Sequence, residues 1–146
     1  SSQGFQISQS PKLLIRRTGE LVELHCQHND NTYFPMYWYQ QKPQQGLKLM
    51  VYSPSASTDA SAGASAGSME TDFSTWSFKR TETTSSNLSL PQSTAQHSAV
   101  YFCAASKHRT RQKSVTALPW IQTRVYPVNG LKVKHTQCQC NHEPYN

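Results

Sequence analysis

The sequence predicts an all-β chain, two packed sheets of short strands followed by an irregular, disordered C-terminal tail. Two observations predict it. Three phrases, Leu24-His25-Cys26, Tyr37 to Pro43 and Ser98 to Cys103, alternate apolar with small or polar residues. That is the period of a half-buried strand. Each phrase also holds one of three anchors, Cys26, Trp38 and Cys103, spaced 12 and 65 residues apart.

The anchors stand among further phrases. Ile7-Ser8-Gln9-Ser10-Pro11 lies near the start, Met36 to Gln41 surrounds the tryptophan, Gly46 to Met50 follows, and Ser98 to Ser106 reads SAVYFCAAS. In this order they resemble an antigen-receptor variable domain, and more narrowly the variable segment of a T-cell receptor beta chain, over residues 3–106. The resemblance implies an immunoglobulin V-type β-sandwich of Greek-key topology in residues 1–106. It implies a Cys26–Cys103 disulfide between the sheets with Trp38 beside it, and Tyr101, two residues before Cys103, as the tyrosine corner. A bridge closing so long a loop stabilises the fold by about 4.5 kcal/mol on the loop-entropy account. It also places the chain in an oxidising compartment, on the extracellular side of the plasma membrane or secreted.

Taken in order, Phe5 to Ser10 reads as a short strand ended by Pro11, and Leu13 to Arg17 as a second before the turn at Thr18-Gly19. Leu21 to Gln27 alternates cleanly, with Val22, Leu24 and Cys26 on one face and Glu23 and His25 on the other. His28 to Thr32 is polar and turn-prone, a loop. Met36 to Gln41 and Leu47 to Tyr52 form a hairpin about the turn at Pro43 to Gly46. Ser53 to Ser68 is mostly Ser, Ala and Gly, too poor in apolar surface to order itself. Trp76 to Thr81 and Asn87 to Leu90 give two more strands, the second with Leu88 and Leu90 inward. Pro91 to Gln96 bends into the last clear strand, Ser98 to Ala104.

Residues 107–146 read as a separate basic tail of low order. The net charge of +6 resides there: residues 1–106 hold seven Lys/Arg against seven Asp/Glu, and the tail seven against one. The charge therefore says little about partners of the folded part, and a nucleic-acid ligand is not expected. The family's final strand opens with Phe-Gly-x-Gly, which does not occur here. Asn129 to Val133 alternates and is the candidate substitute; the preferred account is an unjoined variable segment read past its natural end. Neither a signal peptide nor an apolar run of membrane-spanning length is present, so the chain reads as processed or as a fragment, with any membrane anchor on a missing part.

Candidate binding residues fall in two sets. Tyr39, Gln41, Leu47 and Phe102 point outward on the sheet whose inner face carries Trp38, and an outward apolar row marks an interface. The resemblance makes this the face that pairs with an alpha-type variable chain, the glutamine bonding across the two-fold. Loops at residues 28–34, 53–58 and from 104 onward cluster at one end. Asn29, Asn31, Tyr33, Ser53 and Ser106 are the candidate contacts there, toward peptide–MHC by resemblance.

Other residues carry weaker signals. His97 occupies a position where the family commonly has an Asp paired with a basic residue; Arg80 is the expected neighbour, and a neutral His gives a weaker latch. His135, Cys138, Cys140 and His142 group as His-x-x-Cys-x-Cys-x-His, too tight for structural zinc, so free thiols or a bond to another chain are expected and no metal. Asn87-Leu88-Ser89 is an N-glycosylation sequon with Asn87 outward. Nothing resembles a phosphate loop or a nucleophile elbow, so neither catalysis nor a cofactor is expected. The function expected is antigen recognition as a T-cell receptor beta-like variable domain. The alternative is an unpaired V-type surface or secreted protein with an innate or adhesive role.

Overall fold

The computed structural model describes residues 4–56 and 67–107, together with the strand at 121–127. Its strands are β1 (Ile7–Ser10), β2 (Leu13–Arg16), β3 (Val22–His28), β4 (Met36–Gln41), β5 (Lys48–Ser53), β6 (Ser68–Met69), β7 (Ser77–Glu82), β8 (Ser85–Leu90), β9 (Ala99–Ala105) and β10 (Ile121–Pro127). They form a four-stranded sheet ordered β1-β3-β8-β7 and a six-stranded sheet ordered β2-β10-β9-β4-β5-β6. The sheets pack face to face, as the alternation requires: each must bury its apolar side.

The inner faces interlock as the sequence implies. Val22, Leu24 and Cys26 are buried on β3, Leu88 and Leu90 on β8, Met36 and Trp38 on β4, and Tyr101 and Cys103 on β9. The Cys26–Cys103 disulfide joins β3 to β9 across the core, with the Cα atoms 6.3 Å apart. Trp38 lies directly opposite Cys103 in the β4–β9 register and is fully buried. Its indole Nε1 donates to Ser86 Oγ at 3.0 Å, so the one polar atom of the ring is satisfied inside the core.

Two further polar links fasten β9 to its surroundings. Tyr101 Oη donates to the His97 carbonyl at 2.7 Å, the tyrosine corner, and accepts from Gln40 Nε2 at 3.0 Å. Burial of this ring pushes the phenol pKa up. Gln9, buried on β1, donates to the Tyr101 carbonyl at 2.8 Å and accepts from the Cys103 amide at 2.9 Å. A side chain of the first strand thus completes the backbone of β9, 92 residues on.

Two expectations are corrected. Ile121–Pro127, within the segment read as a low-order tail, is a strand: it pairs antiparallel with β9 and parallel with β2. Its sequence alternates β-branched Ile121, Thr123 and Val125 with other residues, a pattern that fits a pleated strand once β9 and β2 offer an open slot between them. Asn129 to Val133, the substitute considered from sequence, lies outside the described residues. The second correction concerns His97, which does not face Arg80. Its ring stands edge-on to Trp76, with centroids 6.1 Å apart, and its Nδ1 accepts from the Thr94 amide at 2.9 Å. The ring therefore caps the 3-10 turn Ala95–His97. Burial, and secondarily the charge of Lys42, holds its pKa below the usual histidine value.

Candidate functional site

The outer face of the six-stranded sheet gathers the first expected set. β4 and β9 lie side by side with Tyr39 opposite Phe102. Because Trp38, Tyr101 and Cys103 face inward, alternation turns Tyr37, Tyr39, Val100, Phe102 and Ala104 outward. Tyr39, Phe102 and Ala104 form an apolar cluster separate from the main core, with Tyr37, Leu47, Leu49 and Val100 packed against it. Tyr37 adds two aromatic contacts, to Tyr39 at 6.2 Å and to Tyr52 at 5.3 Å between centroids. Gln41 stands at the border of the cluster, where its Nε2 donates to the Gln45 carbonyl at 3.0 Å. Tyr39, Gln41, Leu47 and Phe102 thus share one surface, and Tyr37, Leu49 and Tyr52 extend it. The alternation that turned Tyr39 outward also turned Tyr37, so that signal was present in the sequence.

The second set lies at the end of the sandwich where the β3–β4 loop, the end of β5 and the end of β9 meet. Its members fare differently. Asn31 is exposed. Asn29 is tied down: its Oδ1 accepts from the Gln6 amide at 2.8 Å and its Nδ2 donates to the Gly4 carbonyl at 3.3 Å, so it fastens the segment leading into β1. Tyr33 stacks on Phe5 with centroids 4.0 Å apart and packs against the core. Ser106 is buried, and its hydroxyl shares a hydrogen bond of 2.9 Å with the Tyr37 hydroxyl.

Ser53, expected on a ligand-contacting loop, is instead fully buried. The reason is Arg80, which alternation on β7 turns inward with Phe78. Its guanidinium donates to the Ser53 carbonyl at 3.0 Å and the Ser53 hydroxyl at 2.9 Å, and to the carbonyls of Phe34 and of Thr83, the latter at 2.8 Å. One cation therefore gathers the β3–β4 loop, β5 and the β7–β8 turn. Burial alone lowers its pKa to about 10, so it stays charged at neutral pH. The exposed large side chains at this end are Phe34, 43% exposed, and Tyr52, 39% exposed, which sequence reasoning did not single out.

His28 lies beneath the same loop, buried among Phe5 and Tyr33, with ring centroids 5.5 and 6.2 Å away. Its Nδ1 accepts from the Asp30 amide at 3.3 Å, while its Nε2 is buried without a hydrogen-bond partner. Burial first, and the Arg80 charge second, hold its pKa below the usual value. Asp30 in turn accepts from the amide and hydroxyl of Thr32 at 2.8 and 2.6 Å, which shapes the loop tip and lowers the carboxyl pKa. Among the described residues no three His, Cys, Asp or Glu side chains come together as metal ligands. His135, Cys138, Cys140 and His142 lie outside those residues.

Comparison with known proteins agrees with this architecture. The model of the immunoglobulin V-set domain matches residues 9–119. T cell receptor beta variable 10-3 of Homo sapiens is 35% identical over 101 residues, 69% of this chain and 81% of that protein. T cell receptor beta variable 6-6 of Homo sapiens is 32% identical over 100 residues, 68% and 80% of the two chains. The T-cell receptor beta chain V region LB2 of Mus musculus is 31% identical over 103 residues, 70% and 69%. Among solved structures, a chain from work on the structural basis of T cell specificity and activation by the bacterial superantigen toxic shock syndrome toxin-1 superimposes with a TM-score of 0.69. It covers 86% of this chain and 100% of that one at 23% identity, a likeness of fold.

Proposed function

The chain belongs to the immunoglobulin V-set family, within its T cell receptor beta variable group, and on that ground we propose that it recognises antigen as one half of a paired receptor. The outer face of the six-stranded sheet joins an alpha-type variable domain, and the loop end meets peptide–MHC. The site of action is the cell surface, on the extracellular side, and the family is not an enzymatic one. The observation that carries the pairing is the apolar cluster of Tyr39, Phe102 and Ala104, bordered by Leu47, Leu49 and Val100, on the outer side of a sheet whose inner side is already a full core. An apolar group on a face the core does not use is the signature of an interface. At the loop end, Asn31, Phe34 and Tyr52 are the exposed groups that carry contact area and hydrogen bonding to a ligand.

Co-expression with alpha-type variable domains tests the pairing. A stable heterodimer on size exclusion is expected, and Leu47→Glu, at a half-buried border position, abolishes it without altering the melting curve of the isolated chain. A chain that stays monomeric with every alpha-type domain tried, or a heterodimer indifferent to Leu47→Glu, overturns the pairing. Within the heterodimer, Asn31→Ala and Phe34→Ala reduce peptide–MHC binding while pairing persists.

A second reading has its own support. Tyr39 and Phe102 are only 5% and 7% exposed in the single chain, and the Gln41 amide is already engaged by Gln45. A domain whose pairing face is largely covered by its own residues suits an unpaired V-type protein with an innate or adhesive role. Monodisperse monomer at high concentration, with ligand binding intact, decides for it.

A further inference from the structure

We propose that Asn87 carries an N-linked glycan, and that this glycan covers the outer face of the four-stranded sheet. Asn87-Leu88-Ser89 is the one Asn-x-Ser/Thr sequence in the chain, and β8 holds it in the geometry the modification needs. Leu88 is fully buried in the core, and its two neighbours therefore face the opposite way. Asn87 is exposed. In the register it lies directly between His25 of β3 and Lys79 of β7, at the middle of the sheet.

The rows next to it are polar. Ser10 of β1 lies opposite His25, which extends the row through Asn87 to Lys79 across all four strands. The row on one side runs Glu23, Ser89, Ser77. A row of polar side chains makes a poor interface core but suits a hydrated sugar. A groove of about 370 Å³ runs alongside, between Ser10-Pro11, Glu23 and Lys79, and Asn87 forms part of its wall. The His25 ring hydrogen-bonds the Asn87 Oδ1. That contact fixes the amide by its oxygen and leaves Nδ2, the atom that takes the sugar, out of the bond. The Cys26–Cys103 disulfide places the chain in the secretory compartment where the donor is found.

The step itself is a transfer from a lipid-pyrophosphate-linked oligosaccharide. A bond forms between Asn87 Nδ2 and the anomeric carbon of the first sugar, the bond from that carbon to the pyrophosphate oxygen breaks, and Nδ2 gives up one proton as the lipid pyrophosphate leaves. Once attached, the glycan lies over β7, an edge strand of its sheet, and guards that edge against pairing with other chains. It leaves the face of Tyr39 and Phe102, on the opposite side of the sandwich, open.

The test is expression through a mammalian secretory pathway, with intact mass and peptide mapping of the disulfide-bonded protein before and after peptide-N-glycosidase. One glycan is expected, at Asn87. Ser89→Ala removes it while keeping Asn87 and its bond to His25, so its loss is not confused with misfolding; Asn87→Gln gives the same loss. Disulfide-bonded protein unmodified at Asn87, or a Ser89→Ala protein that keeps its sugar, overturns the assignment. Amine labelling tests coverage: Lys79 becomes more reactive after the glycan is removed, and Lys48, on the other sheet, does not. Equal labelling of Lys79 in both forms overturns the shielding. No partner chain enters either experiment, so its outcome is independent of antigen recognition.

Discussion

Arg80 Nη1 donates to both the carbonyl and the hydroxyl of Ser53, at 3.0 and 2.9 Å, and so turns a residue of a binding-loop border into a buried acceptor. Nη2 donates to the Phe34 and Thr83 carbonyls, while Nε is buried without a hydrogen-bond partner. No carboxylate takes part in these bonds. Arg80 supplies a fork of charged donors to neutral oxygens from which water is excluded.

Arg80→Met keeps the stem and removes the fork. Several acceptors then lose a charge-assisted bond, at about 1–3 kcal/mol for each that does not relax, and a net loss of about 3 kcal/mol is expected by chemical denaturation. Arg80→Lys recovers only a fraction, because a single ammonium does not span the carbonyls that the planar fork reaches. Hydrogen exchange locates the effect: in Arg80→Lys protection falls first at Asn31 to Phe34 and around Ser53, before the β3 and β9 core opens.

Acid should loosen this same end. His28 is held neutral by burial and by Arg80, so its folded pKa lies below the unfolded value of about 6.5. Below that value the unfolded state binds a proton that the folded state refuses. The stability is whole above about pH 6.5, falls as pH drops toward the depressed folded pKa, and levels off beneath it. His97 adds in the same direction, since burial and Lys42 depress it as well. Denaturant midpoints should therefore decline from pH 7.5 to 5, before the carboxylates titrate. His28→Gln flattens that slope; an unchanged slope assigns it elsewhere.

The tyrosine corner gives a smaller, sharper expectation. Tyr101→Phe removes the bond to the His97 carbonyl and strips Gln40 Nε2 of its acceptor. With the ring volume kept, the loss is about 1.5 kcal/mol in a denaturant titration. A near-neutral result means that Gln40 finds another acceptor.

What was legible in the sequence was what local alternation carries. Val22, Leu24 and Cys26 inward, and Asn87 out with Leu88 in, are period-2 consequences of residues a few positions apart, whereas Trp38 against Cys103, 65 residues apart, follows from the family resemblance. The partners that escaped are joined through long separations. Ser53 is buried by a residue 27 positions away, and Gln9 meets β9 across 92. Nothing local marks either pairing, because Ser in a Ser-rich stretch and Gln in a short strand read as surface. His97 was assigned to Arg80 by family position, whereas Trp76 occupies its surroundings and Arg80 serves the other end of the sandwich.

The strand Ile121–Pro127 escaped for a related reason: its usual opening motif is missing, and its order comes from the slot it fills. β10 pairs with β9 from Ile121 opposite Cys103 to Val125 opposite Ala99, and with β2 from Arg124 beside Leu13 to Pro127 beside Arg16. Without it β2 has no partner in its sheet, and β9 becomes a long edge with unpaired backbone groups, the arrangement that invites association between chains. A chain cut after Lys113 is therefore expected to melt lower and to self-associate as concentration rises, while the Cys26–Cys103 disulfide still forms. Hydrogen exchange at Val100 and Phe102, the β9 residues opposite Arg124 and Gln122, should quicken in the cut chain, and amides of β3 and β8 should respond less. If the cut chain matches the full chain in melting temperature and in protection at β9, the strand adds nothing to the domain, and the sandwich is self-sufficient through Ser106.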